Sequence, residues 1–360
     1  MTTRRSILAA TGALVFGRSA AAAGHYWPAS QAWAGVEPTV AGFEPTRLSS
    51  AIDLAMADRS ASIVVLRGGH RVVEQYAPGI TPGTRQEIAS AAKSFVSVLL
   101  GMAIDQGKIR SVDQSAADFI PQWRNARQST ITLRHMLTMT SGQDFQDLAL
   151  RGVAGDQFAI NSAAPQAVPP GSRWSYDTAT FHLLYHVIGR AVGEPFEAFA
   201  QRNLLDPLGM EDTAWVTGVG QGADGSVTNY YSARCSARDL ARFGLFAQRG
   251  GQWAGKQLVS AAYLRAATSP SQELNPAYGY LWWENAKPGR GAGVGAGGAE
   301  ASGYKFEGSP RDTFAAMGAG GQVVMVVPSL DLVVVRQGRN PESTGMLPAL
   351  LASVCAAVRA

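Results

Sequence analysis

Ser90-Ala91-Ala92-Lys93 sets a hydroxyl and an amine three residues apart in a chain of 360 residues. On a helix that spacing puts both groups on one face. A serine alone is a poor nucleophile, and a neighbouring amine able to take its proton makes it a candidate acylating group. A serine in a helix's first turn would also face free backbone N–H groups and the positive end of the helix dipole, which favour a developing oxyanion. The tetrad alone is weak, because about one such match is expected by chance at average composition. A second one exists, Ser302-Gly303-Tyr304-Lys305, beside a glycine-rich stretch with no helix to fix its spacing. We read the second as chance and the first, which enters a long apolar run, as chemistry.

The other chemistry-bearing residues are less promising. His182 and His186 are four apart, a spacing that can bind zinc. Their stretch, His-Leu-Leu-Tyr-His, lacks a zincin's glutamate and has no evident third ligand, so no metal is expected. Asp144, Asp147 and Asp156 read as solvated loop carboxylates in preference to substrate contacts. No Gly-x-Ser-x-Gly elbow is present, which argues against an α/β-hydrolase. The glycine-rich 291–298 stretch lacks a following Gly-Lys-Ser/Thr, so no phosphate loop and no cofactor are implied.

The elements that must position the tetrad follow from periodicity. Ser62–Leu66 and Arg71–Tyr76 read as strands joined at Gly68-Gly69 in a hairpin. Apolar residues from Ala91 to Gln106 recur at helical spacing and stop at Gly107. The middle of the chain, 112–269, reads as mostly helical, with helices at 132–139, 179–192, 196–205 and 237–249. Strands return at 278–284, 314–318, 323–328 and 332–337, and 346–358 closes as an apolar helix. Strands at both ends with helices between them predict one antiparallel sheet flanked by helices and interrupted by an all-α insertion, an α/β (α+β) arrangement. The expected parts are a targeting segment at 1–23, an N-terminal extension at 24–37, an α/β domain from 38–111 with 270–360, and a helical domain at 112–269.

The first residues contain Arg4-Arg5, an apolar run from Ile7 to Phe16 and the small residues Ala20–Ala23, the pattern of a twin-arginine export signal. The expected location is therefore periplasmic or secreted. The apolar run is too short for a permanent span, so no stable membrane anchor is expected. Removing the segment would take Arg4, Arg5 and Arg18 with it and leave 28 basic against 27 acidic residues, so the formal charge of +4 says little about partners. No basic run interleaved with aromatics suggests nucleic acid. Cys235 and Cys355 are too far apart in sequence to suggest a disulfide framework, and the sequence leaves both their pairing and the oligomeric state open.

Ile88-Ala89-Ser90-Ala91-Ala92-Lys93-Ser94-Phe95 resembles the nucleophile motif of the serine β-lactamase-like superfamily, which includes class C β-lactamases, DD-peptidases, esterases and 6-aminohexanoate-dimer hydrolases. Further segments agree in order: 131–142, Pro170–Tyr176, Asp206–Met210, Ser236–Phe243, Tyr278–Trp283 and Gly320-Gly321-Gln322. The likeness runs from about residue 40 to 358 and implies a β-lactamase/transpeptidase-like fold. It implies Ser90 as nucleophile, Lys93 and Tyr176 as proton-handling partners, and an oxyanion hole from the backbone N–H groups of Ser90 and Ala319. Thr178, Gly318, Trp282 and Trp283 are the expected substrate-binding positions, with one of the two tryptophans facing the site.

Two departures bear on substrate. The family's Tyr-x-Asn reads Tyr176-Asp177-Thr178, and its cationic third motif reads Ala316-Met317-Gly318. A β-lactam's carboxylate is held partly by that cation, so the expectation moves toward esters or simple amides hydrolysed through a Ser90 acyl-enzyme. A β-lactamase or DD-peptidase is the alternative, and a non-catalytic binding protein on the same fold is the second.

Overall fold

Runs such as Ser-Ile-Val-Val-Leu and Gln-Val-Val-Met-Val-Val carry apolar residues at successive positions, so a strand built from them needs cover on both faces. The computed structural model, which describes residues 25–29, 32–145, 156–217, 230–290, 302–339 and 346–359, provides that cover. Helix α1 spans Pro45–Ala57, followed by strands β1 (Ser60–Arg67) and β2 (His70–Tyr76). Helices α2 (Ala92–Asp105), α3 (Ala179–Val192) and α4 (Ala237–Gln248) follow. Strands β3 (Trp283–Glu284), β4 (Phe314–Gly318), β5 (Gln322–Val327) and β6 (Leu332–Gly338) then lead to helix α5, Met346–Ala356.

The six strands form one antiparallel sheet in the order β2-β1-β6-β5-β4-β3. Chain ends therefore meet at its centre, where Val64 of β1 pairs with Val335 of β6. Alternation divides the core in two. Ile63, Val65, Val323, Met325, Leu332 and Val334 pack against α1 and α5. Val64, Leu66, Val324, Val326, Val333 and Val335 face α2 and α4. The expected antiparallel sheet flanked by helices is present.

Helix α2 is buried on every side from Ala92 to Ala103, as expected of a helix that is apolar all round. Phe95 stacks on Phe243 of α4 at 3.7 Å. Although α4 lies inside the 112–269 stretch, it rests on the sheet, and Gly244 makes the close approach possible. A Cβ there would stand 2.6 Å from a methyl of Val324 and another of Val333.

Three expectations need correction. The 278–284 stretch is not one strand: it reverses between Tyr278 and Trp283, with Gly279 N–H donating to Trp282 O at 2.9 Å and Leu281 at φ +63°. The 132–139 helix shortens to Leu133–Leu137, and Met139 follows at φ +58°. The middle of the chain also contains strands, Thr213–Thr217 and Tyr230–Cys235, which pair with each other, and the second also pairs with Gln86–Glu87. The hairpin expected at Gly68-Gly69 is present, both glycines having positive φ. Residues 1–23 lie outside the described residues, and among those described no helix is long and apolar enough to cross a membrane. Cys235 and Cys355 are both free thiols.

Gly244→Val should lower the unfolding free energy by about 3 kcal/mol, because overpacking there meets two strands that the rest of the core holds in place. A urea denaturation midpoint equal to that of the unaltered protein would contradict this packing.

Candidate active site

The tetrad's position begins with the strands the sequence hid. Gln86–Glu87 lies along Tyr230–Cys235, Ile88 N–H donates to Ala233 O at 2.9 Å, and Ser232 Oγ donates to Ala89 O at 3.1 Å. Those bonds hold Ala89 at φ +47°, a conformation that costs a non-glycine residue on the order of 1–3 kcal/mol. A single 3-10 turn, Ala89–Ala91, carries Ser90 and runs into α2. Ser90 thus sits one turn ahead of the α-helix, with Lys93 in the helix's first turn.

Lys93 is 1% exposed, and its Nζ lies 3.0 Å from Ser90 Oγ and 3.4 Å from Thr178 Oγ1. Two aromatic faces complete its surroundings, Tyr176 at 5.0 Å and Phe181 at 4.6 Å from ring centre to Nζ. Thr178 therefore keeps a polar contact with the lysine although it lacks an amide. Phe181, one helical turn beyond Thr178, was not singled out in the sequence, where that spacing from Thr178 was its only signal. Between these residues, Asp177 Oδ1 accepts from Thr180 N–H at 2.6 Å and secures the entry into α3. Burial pushes the Asp177 carboxyl up to about 6, while the Thr180 hydrogen bonds and the Lys93 charge pull more weakly the other way.

The opposite wall comes from the sheet. Gly318, at the end of β4, approaches the Ser90 turn so closely that a Cβ would run into the Ile88 carbonyl and stand 3.0 Å from Ala91 N. Ala319 is the next residue in the chain. The tryptophan pair divides across the reversal, with Trp282 in the turn and Trp283 starting β3. Trp282 is fully buried, stacked on Phe243 at 5.5 Å and edge-on to Phe314, and does not face the site. Trp283 stacks on Tyr176 at 5.7 Å and meets Tyr278 and Trp174 edge-on. Ser94 Oγ donates to Leu281 O at 2.7 Å, and Leu281 N–H donates to Leu137 O at 3.0 Å, so α2 and the Trp turn move together. Lys305, which the sequence reading set aside, also reaches this wall: its Nζ lies 4.1 Å over the Trp283 ring.

The remaining candidates that the structure describes stay outside this cluster. Asp156 caps the Gln157–Ser162 helix through Ala159 N–H at 2.9 Å. The Asp144 N–H donates to Pro165 O at 2.9 Å, and Asp147 lies outside the described residues. His182 and His186 pack among Phe181, Tyr185 and Phe158, and no group of three or more His, Cys, Asp or Glu among the described residues could hold a metal.

A family model described as Beta-lactamase matches residues 48–344. An uncharacterized protein of Alkalihalophilus pseudofirmus is 24% identical over 308 residues, covering 77% of this chain and 82% of its own. Esterase EstB of Burkholderia gladioli is 26% identical over 204 residues, 48% of this chain and 51% of its own. Among solved structures, a candidate 6-aminohexanoate-dimer hydrolase from Bacillus anthracis aligns with a TM-score of 0.69 at 17% identity, covering 89% of this chain and 85% of that one. A class C β-lactamase in complex with cefoxitin aligns with a TM-score of 0.65 at 16% identity, covering 86% and 99%. These structural likenesses concern the fold.

The raised Asp177 carboxyl has a consequence for stability. A carboxyl that ionises less readily when folded destabilises the protein as pH rises through the unfolded value, 3.8, and fully so above about 6. Asp177→Asn keeps the acceptor for Thr180 and removes the charge. Its denaturation midpoint relative to the unaltered protein should therefore improve between pH 4 and 6 and level off above that. A difference that stays flat across this window would sink the assignment.

Proposed function

The chain belongs to the Beta-lactamase family of serine hydrolases, and within it we propose an enzyme that hydrolyses esters or simple amides through a Ser90 acyl-enzyme. The observation that carries the proposal is the 3.0 Å approach of Lys93 Nζ to Ser90 Oγ, within a pocket that also includes Tyr176 and Thr178. Ser90 Oγ attacks the substrate carbonyl carbon as its proton passes to the Lys93–Tyr176 pair. The tetrahedral oxyanion is held by the backbone N–H groups of Ser90 and Ala319. Collapse breaks the bond to the alcohol or amine, which leaves with that proton. Water then attacks the acyl-enzyme, gives its proton to the same pair, and restores the serine as the acid departs.

The choice of esters and simple amides over β-lactams rests on Ala316, which offers no charge where the family's third motif supplies one. The esterase relative is consistent with this reading, at 26% identity over about half of each chain.

Ser90→Ala and Lys93→Ala should each reduce p-nitrophenyl ester hydrolysis by about 10⁴-fold or more, as removal of a nucleophile or its base does elsewhere. A fluorophosphonate probe should label Ser90 in the unaltered protein. Undiminished turnover in Ser90→Ala would remove the proposal. Nitrocefin hydrolysis faster than that of the esters would replace it with a β-lactamase, and failure of the probe to label folded protein would favour a non-catalytic binder.

A further inference from the structure

Lys305 is a half-buried ammonium at the edge of the site that the mechanism above leaves unused. Its Nζ stands 4.1 Å over the ring of Trp283, whose ring stacks on Tyr176 at 5.7 Å. Those separations put the charge within about 10 Å of the Tyr176 ring centre. The position is built. Asn285, two residues after Trp283 and fully buried, accepts from Phe306 N–H at 2.7 Å. Its Nδ2 donates to Phe306 O and Pro310 O at 3.0 Å each. Phe306 is itself sealed in the core between the sheet and α1 and α5. Lys305 is thus tethered at its own backbone neighbour to the strand that carries Trp283.

Among the described residues, no carboxylate pairs with Lys305. An aromatic face stabilises an ammonium only modestly, and withdrawing the charge from water without a counter-ion is costly. Burial accordingly draws the Lys305 ammonium down to about 8. A cation held on a site wall with no counter-charge among the described residues is suited to an anion that arrives with the substrate.

Resting on the hydrolase reading above, we propose that Lys305 supplies the positive charge missing at Ala316, and that the substrates are esters or amides bearing a carboxylate. The charge is carried beside the edge strand β3, whereas position 316 lies on the neighbouring β4, which abuts the Ser90 turn. The carboxylate it suits therefore lies farther from the scissile carbonyl than that of a β-lactam, toward the far end of the acyl chain or leaving group.

The test compares the mono-p-nitrophenyl ester of glutaric acid with the p-nitrophenyl ester of valeric acid, a neutral chain of the same length. The unaltered enzyme should prefer the anionic ester in kcat/KM. That preference should fall at least tenfold in Lys305→Met and Lys305→Gln and persist in Lys305→Arg. It should shrink with added salt, as a solvent-accessible ion pair does, and fade as pH rises past about 8. An unchanged ratio in the Met and Gln variants, or equal losses on both esters, would overturn the proposal, the latter marking a packing role. A second measurement separates this failure from that of the hydrolase reading: glutarate binding to Ser90→Ala protein by calorimetry, with and without Lys305→Met. Turnover of the neutral ester with no glutarate binding overturns the Lys305 site alone. Lys305-dependent glutarate binding with no turnover of either ester upholds the anion site and overturns the hydrolase.

Discussion

The approach of the Gly318 backbone to the Ile88–Ala91 turn is the constraint on which the rest of the site depends. Only a residue without a Cβ lets β4 pass so near the Ser90 turn. The opposite side of that turn is held by Ala233 and Ser232. Caught between a sheet edge and a second small sheet, Ala89 can keep a left-handed conformation that an unsupported turn would lose. The consequence passes directly into chemistry, because the same turn aims Ser90 and starts the helix that carries Lys93. A buried helix is a rigid mount. With α2 enclosed from Ala92 to Ala103, the separation of hydroxyl and amine is set by the core and not by side-chain mobility.

Around this mount the polar and aromatic groups have separate tasks. Lys93 lies between a hydroxyl partner, Thr178, and two ring faces, Tyr176 and Phe181. Tyr176 in turn stacks on Trp283, so Lys93 and the sheet wall are linked through a continuous aromatic contact. Trp282 points the other way and joins Phe243 and Phe314 in the core. Adjacent residues thus serve stability and site separately, one in the reversal and the other on β3. Charge is distributed in the same economical way. The strand that approaches the Ser90 turn carries none at position 316, and a lysine, Lys305, stands over Trp283.

Much of the fold was legible because burial leaves a periodic mark. The apolar runs of β1, β5 and β6 and the spacing within α2 and α3 are local patterns, and the structure places those elements within a residue or two of the expected bounds. The Ser90–Lys93 pair was legible for the same reason, since three residues along a helix fix a distance without help from the rest of the chain. The reversal at Tyr278–Trp283 was not. It depends on Leu281 adopting φ +63° while its N–H reaches Leu137 and its carbonyl receives Ser94, all contacts distant in sequence. The strands at 213–217 and 230–235 were hidden likewise, because they pair with each other and the second also with the two-residue strand Gln86–Glu87, far away in sequence.

The sequence by itself determined the family likeness, the antiparallel sheet flanked by helices, and the candidate pair Ser90 and Lys93. Each of these is written in residue type and short-range spacing. Tertiary structure alone decided which tryptophan faces the site, that Thr178 touches Lys93, and that a lysine from the discounted second tetrad stands against the active-site wall. Those outcomes come from segments tens to hundreds of residues apart being packed together by the two cores. Side-chain proximity of that kind is fixed by the closing of the sheet and leaves no periodic trace along the chain.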